Sequence, residues 1–276
     1  MLGGLEPARV TLLQAEPGAG KTLISNQIAY TLAANGAPVL YVTLENEPAD
    51  LIRKQVARIA DVSPSLLDRG QLDIAESGVG PALDTFQETA QSLYYLEGSS
   101  KTRKETVTGA LAYMADRHPD STPVLCLDYL QAFARFAGGT DREDLFTRIG
   151  NTSQMLVDIA RDYRAHVWAI TSLNRESYKN GAKGTSMAGG KGSGDLEYDA
   201  GAVITLTKGD EYQSPNSHVD VLNMHVVKNR FGPTGPITLH KQTRSLGVYE
   251  PAPGIVPNGA VKGGSILAAA KADWKR

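Results

Sequence analysis

Residues 10–30, VTLLQAEPGAGKTLISNQIAY, decide how the rest of the chain is read. Val10 to Gln14 is an apolar run of β-formers, a glycine-bearing turn follows, and a helix opens at Gly20-Lys21-Thr22. The spacing is A-x-x-x-x-G-K-T, with Ala15 where the commonest form has glycine. Successive backbone N–H groups in such a turn make a concave anion nest, and the helix start adds its own unpaired donors. Gly18 and Gly20 let the turn close at low steric cost. Glu16, Pro17, Gly18, Ala19, Gly20, Lys21, Thr22 and Leu23 are therefore the expected cradle of a nucleoside triphosphate. Lys21 brings a point charge to the β- and γ-phosphates, and the Thr22 hydroxyl offers a ligand to Mg²⁺.

The chain has 276 residues, 41% of them apolar, and a formal net charge of −2. That length fits one large α/β domain or two small ones. The near-neutral balance excludes a surface that is cationic throughout, so any DNA or RNA contact must come from a local patch. The single cysteine, Cys126, excludes an internal disulfide framework or a cysteine-rich zinc site. It lies in the run VLCLDYL, where a small buried hydrophobe is expected. The start, MLGGLEPARV, lacks the basic region and long apolar run of a signal peptide. No apolar span of about 18 residues occurs, so no transmembrane helix is expected. A reducing, cytoplasmic location fits.

Residues 1–8 carry Gly3, Gly4 and Pro7, and the first strand is expected almost at once, with no helix or domain ahead of it. A helix over 22–34 is expected to stop at Asn35-Gly36, followed by the strand PVLYVTLEN (38–46) and a helix over 48–61. Residues 62–92 mix Pro, Gly and Ser and predict one or two short helices. Then come a strand over 92–98, a helix from Thr102 to His118 ended by Pro119, and the buried strand PVLCLDYLQ (123–131). AFARFAGGTDRED (132–144) is expected to be a loop, Leu145 to Tyr163 a long helix, and HVWAITSLN (166–174) a strand. Residues 176–194 hold six glycines in nineteen residues and read as a long functional loop. Strands over 201–209 and 221–229, a terminal hairpin over 236–250, and an extended linker with a short helix over 251–276 complete the chain. Strands alternating with helices predict an α/β fold: a mostly parallel sheet flanked by helices, with late antiparallel strands. Residues 1–250 form one expected domain and 251–276 a C-terminal extension.

A phosphate nest alone hydrolyses nothing; a metal anchor and a group that orients water are also needed. Asp128 ends the apolar strand VLCLD, on the side where α/β sheets bind ligands. A buried aspartate needs a partner, and the Mg²⁺ shell, reached through water, is the expected one. Glu45 ends VLYVTLE in the same way and is placed to polarise the attacking water. Glu47 and Asp50 are its rivals, better suited to the start of the next helix. Thr171, Ser172 and Asn174, at the end of their strand, either touch the γ-phosphate or its water or are structural. Lys228 and Arg230, two apart on a strand, should share a face. They reach their own nucleotide, a neighbouring subunit's, or only a surface ion pair.

The segments from Ala15 to Thr22, LYVTLEN, LCLDYLQ, AITSLNR, SGDLEYDAG and VVKNRFGPTG resemble the RecA-fold ATPase domain of DnaB-type replicative DNA helicases. Their order and spacing match over roughly residues 3–250. The resemblance implies a RecA-like P-loop NTPase that uses ATP and Mg²⁺. Lys21 and Thr22 then serve the phosphates and the metal, Glu45 is the catalytic glutamate, and Asp128 is the metal-side aspartate. Lys228 and Arg230 match the lysine and arginine finger offered to the adjacent protomer of a hexameric ring. Loops 132–142 and 176–192 face single-stranded DNA, where Arg175, Lys179, Lys183 and Lys191 would meet phosphates.

Three departures accompany it. Ser172 stands where such helicases usually carry a γ-phosphate-sensing glutamine, so a bridging water and weaker or differently coupled hydrolysis are expected. Neither the primase-contacting N-terminal domain nor the ring-closing linker helix is expected in this chain. KNRFG is also similar to the signature of RadA branch-migration ATPases, but the cysteine-rich zinc element and protease-like domain of a complete RadA are not expected here. The expected function is ATP hydrolysis coupled to single-stranded DNA binding or translocation. The alternative is a RecA-fold regulatory or recombination-associated ATPase that binds or remodels a protein partner without unwinding. A scaffold that holds nucleotide without using it is the third reading.

Overall fold

Apolar strands that alternate with amphipathic helices leave each strand two faces to cover, and the chain covers both. The computed structural model describes residues 4–73, 77–137, 143–172, 194–209 and 219–251. The elements are β1 (Arg9–Ala15), α1 (Lys21–Ala34), β2 (Val39–Thr43), α2 (Pro48–Ile59), α3 (Pro64–Asp68), α4 (Val79–Thr89) and β3 (Leu93–Glu97). They continue with α5 (Lys104–Arg117), β4 (Val124–Asp128), α6 (Leu130–Ala137), α7 (Leu145–Asp162) and β5 (His166–Ser172). The last are α8 (Gly194–Asp199), β6 (Ala202–Lys208), β7 (Val219–Asn229), β8 (Gly235–Gln242) and β9 (Val248–Tyr249). Among the described residues the nine strands form one sheet in the order β3-β2-β4-β5-β1-β6-β7-β8-β9. The six strands from β3 to β6 run parallel, and β7, β8 and β9 are antiparallel, as the sequence predicts.

The two-residue period of a strand decides which side chain meets which helix layer. Tyr41, Cys126 and Trp168 face the layer of α1, α2 and α4. Leu40, Leu125, Leu127 and Val167 face the layer of α5, α6, α7 and α8. Cys126 is the buried hydrophobe expected, and burial pushes its thiol well up. By the same parity Asp128, two residues on, points to the α1 side. Trp168 Nε1 donates to Ser25 Oγ at 2.9 Å, which fixes α1 against β5. The Gln27 side chain donates to and accepts from the backbone of Val248, at 2.6 and 3.0 Å, and ties the last strand to α1.

One element corrects the sequence reading. Residues 130–137, expected to finish a strand and begin a loop, form helix α6. Leu130, Phe133 and Ala134 lie at i, i+3 and i+4 and are buried together. That stripe outweighs the β-propensity of the preceding run, and β4 stops at Asp128. Residues 138–142, 173–193 and 252–276 lie outside the described residues, so the glycine-rich loop and the C-terminal extension do too. Among the described residues no helix is long and apolar enough to cross a membrane.

His166 opens β5 with its ring buried; Nδ1 donates to the carbonyl of Glu6 at 2.7 Å, and Nε2 has no partner. Burial pulls its pKa from 6.5 down to about 4. The folded chain then refuses a proton that the unfolded chain accepts below pH 6.5. Stability present above that pH is lost as the pH falls toward 4, by roughly 2 kcal/mol between pH 7 and pH 5. Denaturant titrations at those two pH values should show this loss in the native chain. His166→Gln, which keeps an N–H and does not titrate, should show it smaller by that amount.

Candidate active site

The nest is built where β1 ends. Gly18 and Gly20 have φ of +74° and +96°, and Gly20 caps α1. A Cβ at either glycine would meet nothing within 4 Å, so backbone conformation, not crowding, demands glycine there. Lys21 Nζ donates to the carbonyls of Ala15 (2.8 Å) and Glu16 (2.9 Å). Burial pulls its pKa down, opposed by the charges of Asp128, Glu45 and Glu16. The Ala19 side chain is buried beneath the turn, whose Ala19 N–H donates to the carbonyl of Glu16 at 3.2 Å.

A cleft of about 430 Å³ opens over this nest. Its lining includes Pro17, Gly18, Gly20, Lys21, Thr22, Leu23, Glu45, Asp128 and Ser172. Residues distant in sequence converge because each lies at, or just past, the C-terminal end of a parallel strand. β2 and β4 pair with Thr43 opposite Asp128, and the ladder runs one step further through Leu44 N–H to the carbonyl of Asp128 at 2.8 Å. Thr43 Oγ1 then donates to the carbonyl of Asn46 (2.7 Å) and accepts from its N–H (3.2 Å). That turn lifts Glu45 to the exposed mouth of the cleft. Glu47 caps α2, and Asp50, in its first turn, pairs with Arg53; neither lines the cleft.

Asp128 is 1% exposed. Tyr41 Oη donates to its Oδ2 at 2.9 Å, and the Thr22 hydroxyl also favours its charged form. Burial raises its pKa; these two hydroxyls and the Lys21 charge pull it back, while Glu45 adds to the rise. The partner that a buried aspartate requires is thus supplied first by protein hydroxyls. Thr22 and Asp128 together fit Mg²⁺, which needs only one or two protein oxygens beside water and phosphate. Among the described residues no group of three or more His, Cys, Asp or Glu could hold a metal by itself.

Ser172 pairs with Ala15 at the end of β5, beside the nest. Its N–H donates to Gln131 Oε1 at 3.3 Å, and Gln131 Nε2 donates to Thr171 Oγ1 at 2.7 Å. Thr171 is therefore a buried structural hydroxyl, while Ser172 is the one that lines the cleft. Sequence reasoning missed Gln131 and Tyr41, and also Asn26, Asn46, Lys54 and Leu246, which line the cleft. A polar residue on the first turn of an apolar helix was the available signal for Gln131.

Lys228 and Arg230 do not line this cleft. β7 runs antiparallel to β6 and ends at Asn229, opposite Ala202 at the start of β6. Arg230 follows the strand instead of lying on it. Its N–H donates to the carbonyl of Gly201 at 2.9 Å, and Gly201 N–H to that of Val10 at 2.8 Å. The pair thus sits at the N-terminal edge of the parallel strands, on the order of 20 Å along β1 from the nest at about 3.3 Å per residue. Arg175, Lys179, Lys183 and Lys191 lie outside the described residues.

Tyr41→Phe removes one hydroxyl from a buried carboxylate without changing the ring. Urea titration should show about 1–3 kcal/mol lost at an unchanged m value. Native-like stability would mean that Tyr41 does not support Asp128.

Comparison with known proteins bears on the family and the fold. The family described as "DnaB-like helicase C terminal domain" matches residues 1–246. The chain is 26% identical over 239 residues to the replicative DNA helicase DnaB of Haemophilus influenzae, covering 86% of this chain and 50% of that protein. It is 22% identical over 240 residues to the replicative DNA helicase DnaC of Bacillus subtilis, covering 87% and 52%. The chain therefore spans about half the length of these curated relatives. One solved ATPase domain superposes with a TM-score of 0.78 at 18% identity, over 90% of this chain and 86% of that one. A DnaB-like replicative helicase, solved with its interactions with primase, gives 0.77 at 19%, over 88% and 57%. At those identities the two structures establish the fold, a RecA-like ATPase fold with a mixed, mostly parallel sheet. The chain belongs to the DnaB-like helicase C-terminal domain family.

Proposed function

We propose that this chain is the ATPase motor domain of a DnaB-like helicase, hydrolysing ATP with Mg²⁺ and coupling hydrolysis to single-stranded DNA binding or translocation. The observation that carries the reading is the convergence of Lys21, Glu45, Asp128 and Ser172 on one cleft over an anion nest. Residues 1–250 act as one ATPase unit in this reading, and 251–276 as an appended extension. The charge pattern fits. Asp128, Glu45 and Glu16 all act on Lys21, so part of its charge is already met within the site, and a divalent cation would add the positive charge that a triphosphate needs.

In this reading Lys21 exchanges the carbonyls of Ala15 and Glu16 for phosphate oxygens. Thr22 and, through water, Asp128 would hold Mg²⁺, which would supply positive charge to offset that of the phosphates. Glu45 orients a water and takes its proton as the water oxygen attacks the γ-phosphorus and the bond to the β-phosphate oxygen breaks. Ser172 reaches the γ-phosphate through a water, since its side chain is shorter than the usual glutamine. Lys228 and Arg230 serve a neighbouring copy, because their own nest lies at the other edge of the sheet. A homo-oligomeric ring, hexameric as the resemblance implies, supplies that neighbour. Arg175, Lys179, Lys183 and Lys191 contact DNA phosphates.

Steady-state turnover with and without single-stranded DNA tests the reading, and DNA should stimulate it. Absence of both binding and stimulation would favour the regulatory ATPase that acts on a protein partner. Glu45→Gln should lose about 10²–10⁴-fold in kcat while keeping ATP affinity. Neither Lys21→Ala nor Arg230→Ala should turn over ATP alone. Mixed together they should recover activity, because one contributes an intact finger and the other an intact nest. If mixtures stay dead while each variant still assembles, action between subunits is refuted.

A further inference from the structure

We propose that Tyr198, with the carbonyls at the C-terminal end of α8, is a positioning residue that presets Lys228 and Arg230 for the neighbouring copy's nucleotide. This rests on the reading that the two cations act between subunits.

The geometry begins with a shift in register. β6 and β7 pair Ile204 with Val226 but Val203 with Lys228, so Val227 is an extra residue. Regular alternation would put Lys228 on the face of Val226, in the α1 layer. The bulge puts it on the face of its partner Val203, the layer that contains α8. There Lys228 Nζ donates to the carbonyls of Glu197 (2.6 Å) and Tyr198 (2.8 Å). Arg230 Nη2 donates to the same Tyr198 carbonyl at 2.6 Å. The last carbonyls of a helix have no intrahelical partner and carry partial negative charge, which suits two adjacent cations. One shared acceptor holds two like charges together.

The Tyr198 ring completes the cradle. Lys228 Nζ and the Arg230 guanidinium carbon each lie 5.8 Å from its centroid, within cation–π range. Tyr198 is nonetheless 74% exposed, so the ring is not there to fill the core. Three further points make this a presentation device and not a plain ion-binding contact. Lys228 directs two of its three N–H bonds at carbonyls and Arg230 one donor nitrogen of its fork, so both retain donors for phosphate oxygens. The backbone of Arg230 is fixed independently by Gly201. Two long, rotamer-rich side chains are thereby ordered before a neighbour arrives, which lowers the entropic cost of placing them in the transition state.

The test uses the full chain with ATP and single-stranded DNA. Tyr198→Ala and Tyr198→Gln should each lower kcat about tenfold, with KM for ATP, affinity for a fluorescent ATP analogue and native mass unchanged. Tyr198→Phe keeps the ring face and should stay within about twofold of the native chain. Arg230→Ala, measured alongside, separates the two ideas. If Arg230→Ala is inactive while both ringless variants keep native kcat, the positioning role is overturned and action between subunits stands. If Arg230→Ala itself turns over normally, the reading beneath the proposal fails and the proposal with it. A raised KM at native kcat would mean that the ring touches nucleotide directly, which also overturns it.

Discussion

The carboxylate of Asp128 is the point on which the site turns. It is buried at the last residue of β4, on the face that parity assigns to α1, and a buried carboxylate is tolerated only where polar partners reach it. Tyr41 approaches it across the sheet from β2 and Thr22 from the start of α1. Each contact demands a register: β2 must pair with β4 so that Thr43 lies opposite Asp128, and α1 must begin directly after the nest. A slip of one residue in β4 would turn the carboxylate toward the α5–α8 layer, where the core is apolar. Fold and chemistry are therefore specified by the same hydrogen bonds.

The supports behind that pairing follow the same logic at longer range. Ser25, one turn into α1, accepts from Trp168 on β5, and Asn26 Oδ1 accepts from Tyr95 Oη on β3 at 2.9 Å. Asn26 also donates to the carbonyl of Leu51 (2.9 Å), while Gln55 Nε2 donates to the carbonyl of Asn26 (2.6 Å). The helix that carries the nest is thus fixed to β3, β5 and α2 by directional bonds as well as by apolar packing. That matters because anion recognition by backbone N–H groups tolerates little displacement of the helix start.

The parts legible in the sequence were those whose residues are contiguous. The nest, the strand end at Asp128 and the antiparallel finish could be read because local spacing dictates them; Glu45, expected to end its strand, lies instead in the turn after β2, which stops at Thr43. Tyr41 could not: in VLYVT it reads as one more core β-former, and its hydroxyl acquires meaning only from the pairing of β2 with β4. Gln131 was hidden by the apolar run VLCLDYL, which reads as strand up to the residue where α6 has already begun. Lys228 and Arg230 were expected to share a side, and both donate to the Tyr198 carbonyl, but alternation does not say which side of the sheet that is. The extra residue at Val227 turns Lys228 toward the α8 layer, and an irregularity of that kind leaves no periodic trace.

On the proposed action between subunits, the position of those two cations constrains assembly more than any single contact does. The nest opens at the C-terminal edge of the parallel strands, and the cations stand at the N-terminal edge, beside the start of β1. A two-fold dimer brings one patch against the same patch, so a nest at one edge and a finger at the other would not meet unless a single patch spanned both. Head-to-tail association lets every copy use both, receiving cations at one edge and giving them at the other. Such an interface repeats by its nature, closing into a ring when the rotation between copies divides a full turn and otherwise extending as a filament. If Lys228 and Arg230 act on a neighbour as proposed, hydrolysis in one copy depends on the placement of the next, because donors for the transferring phosphoryl group would then come from the neighbour's sheet.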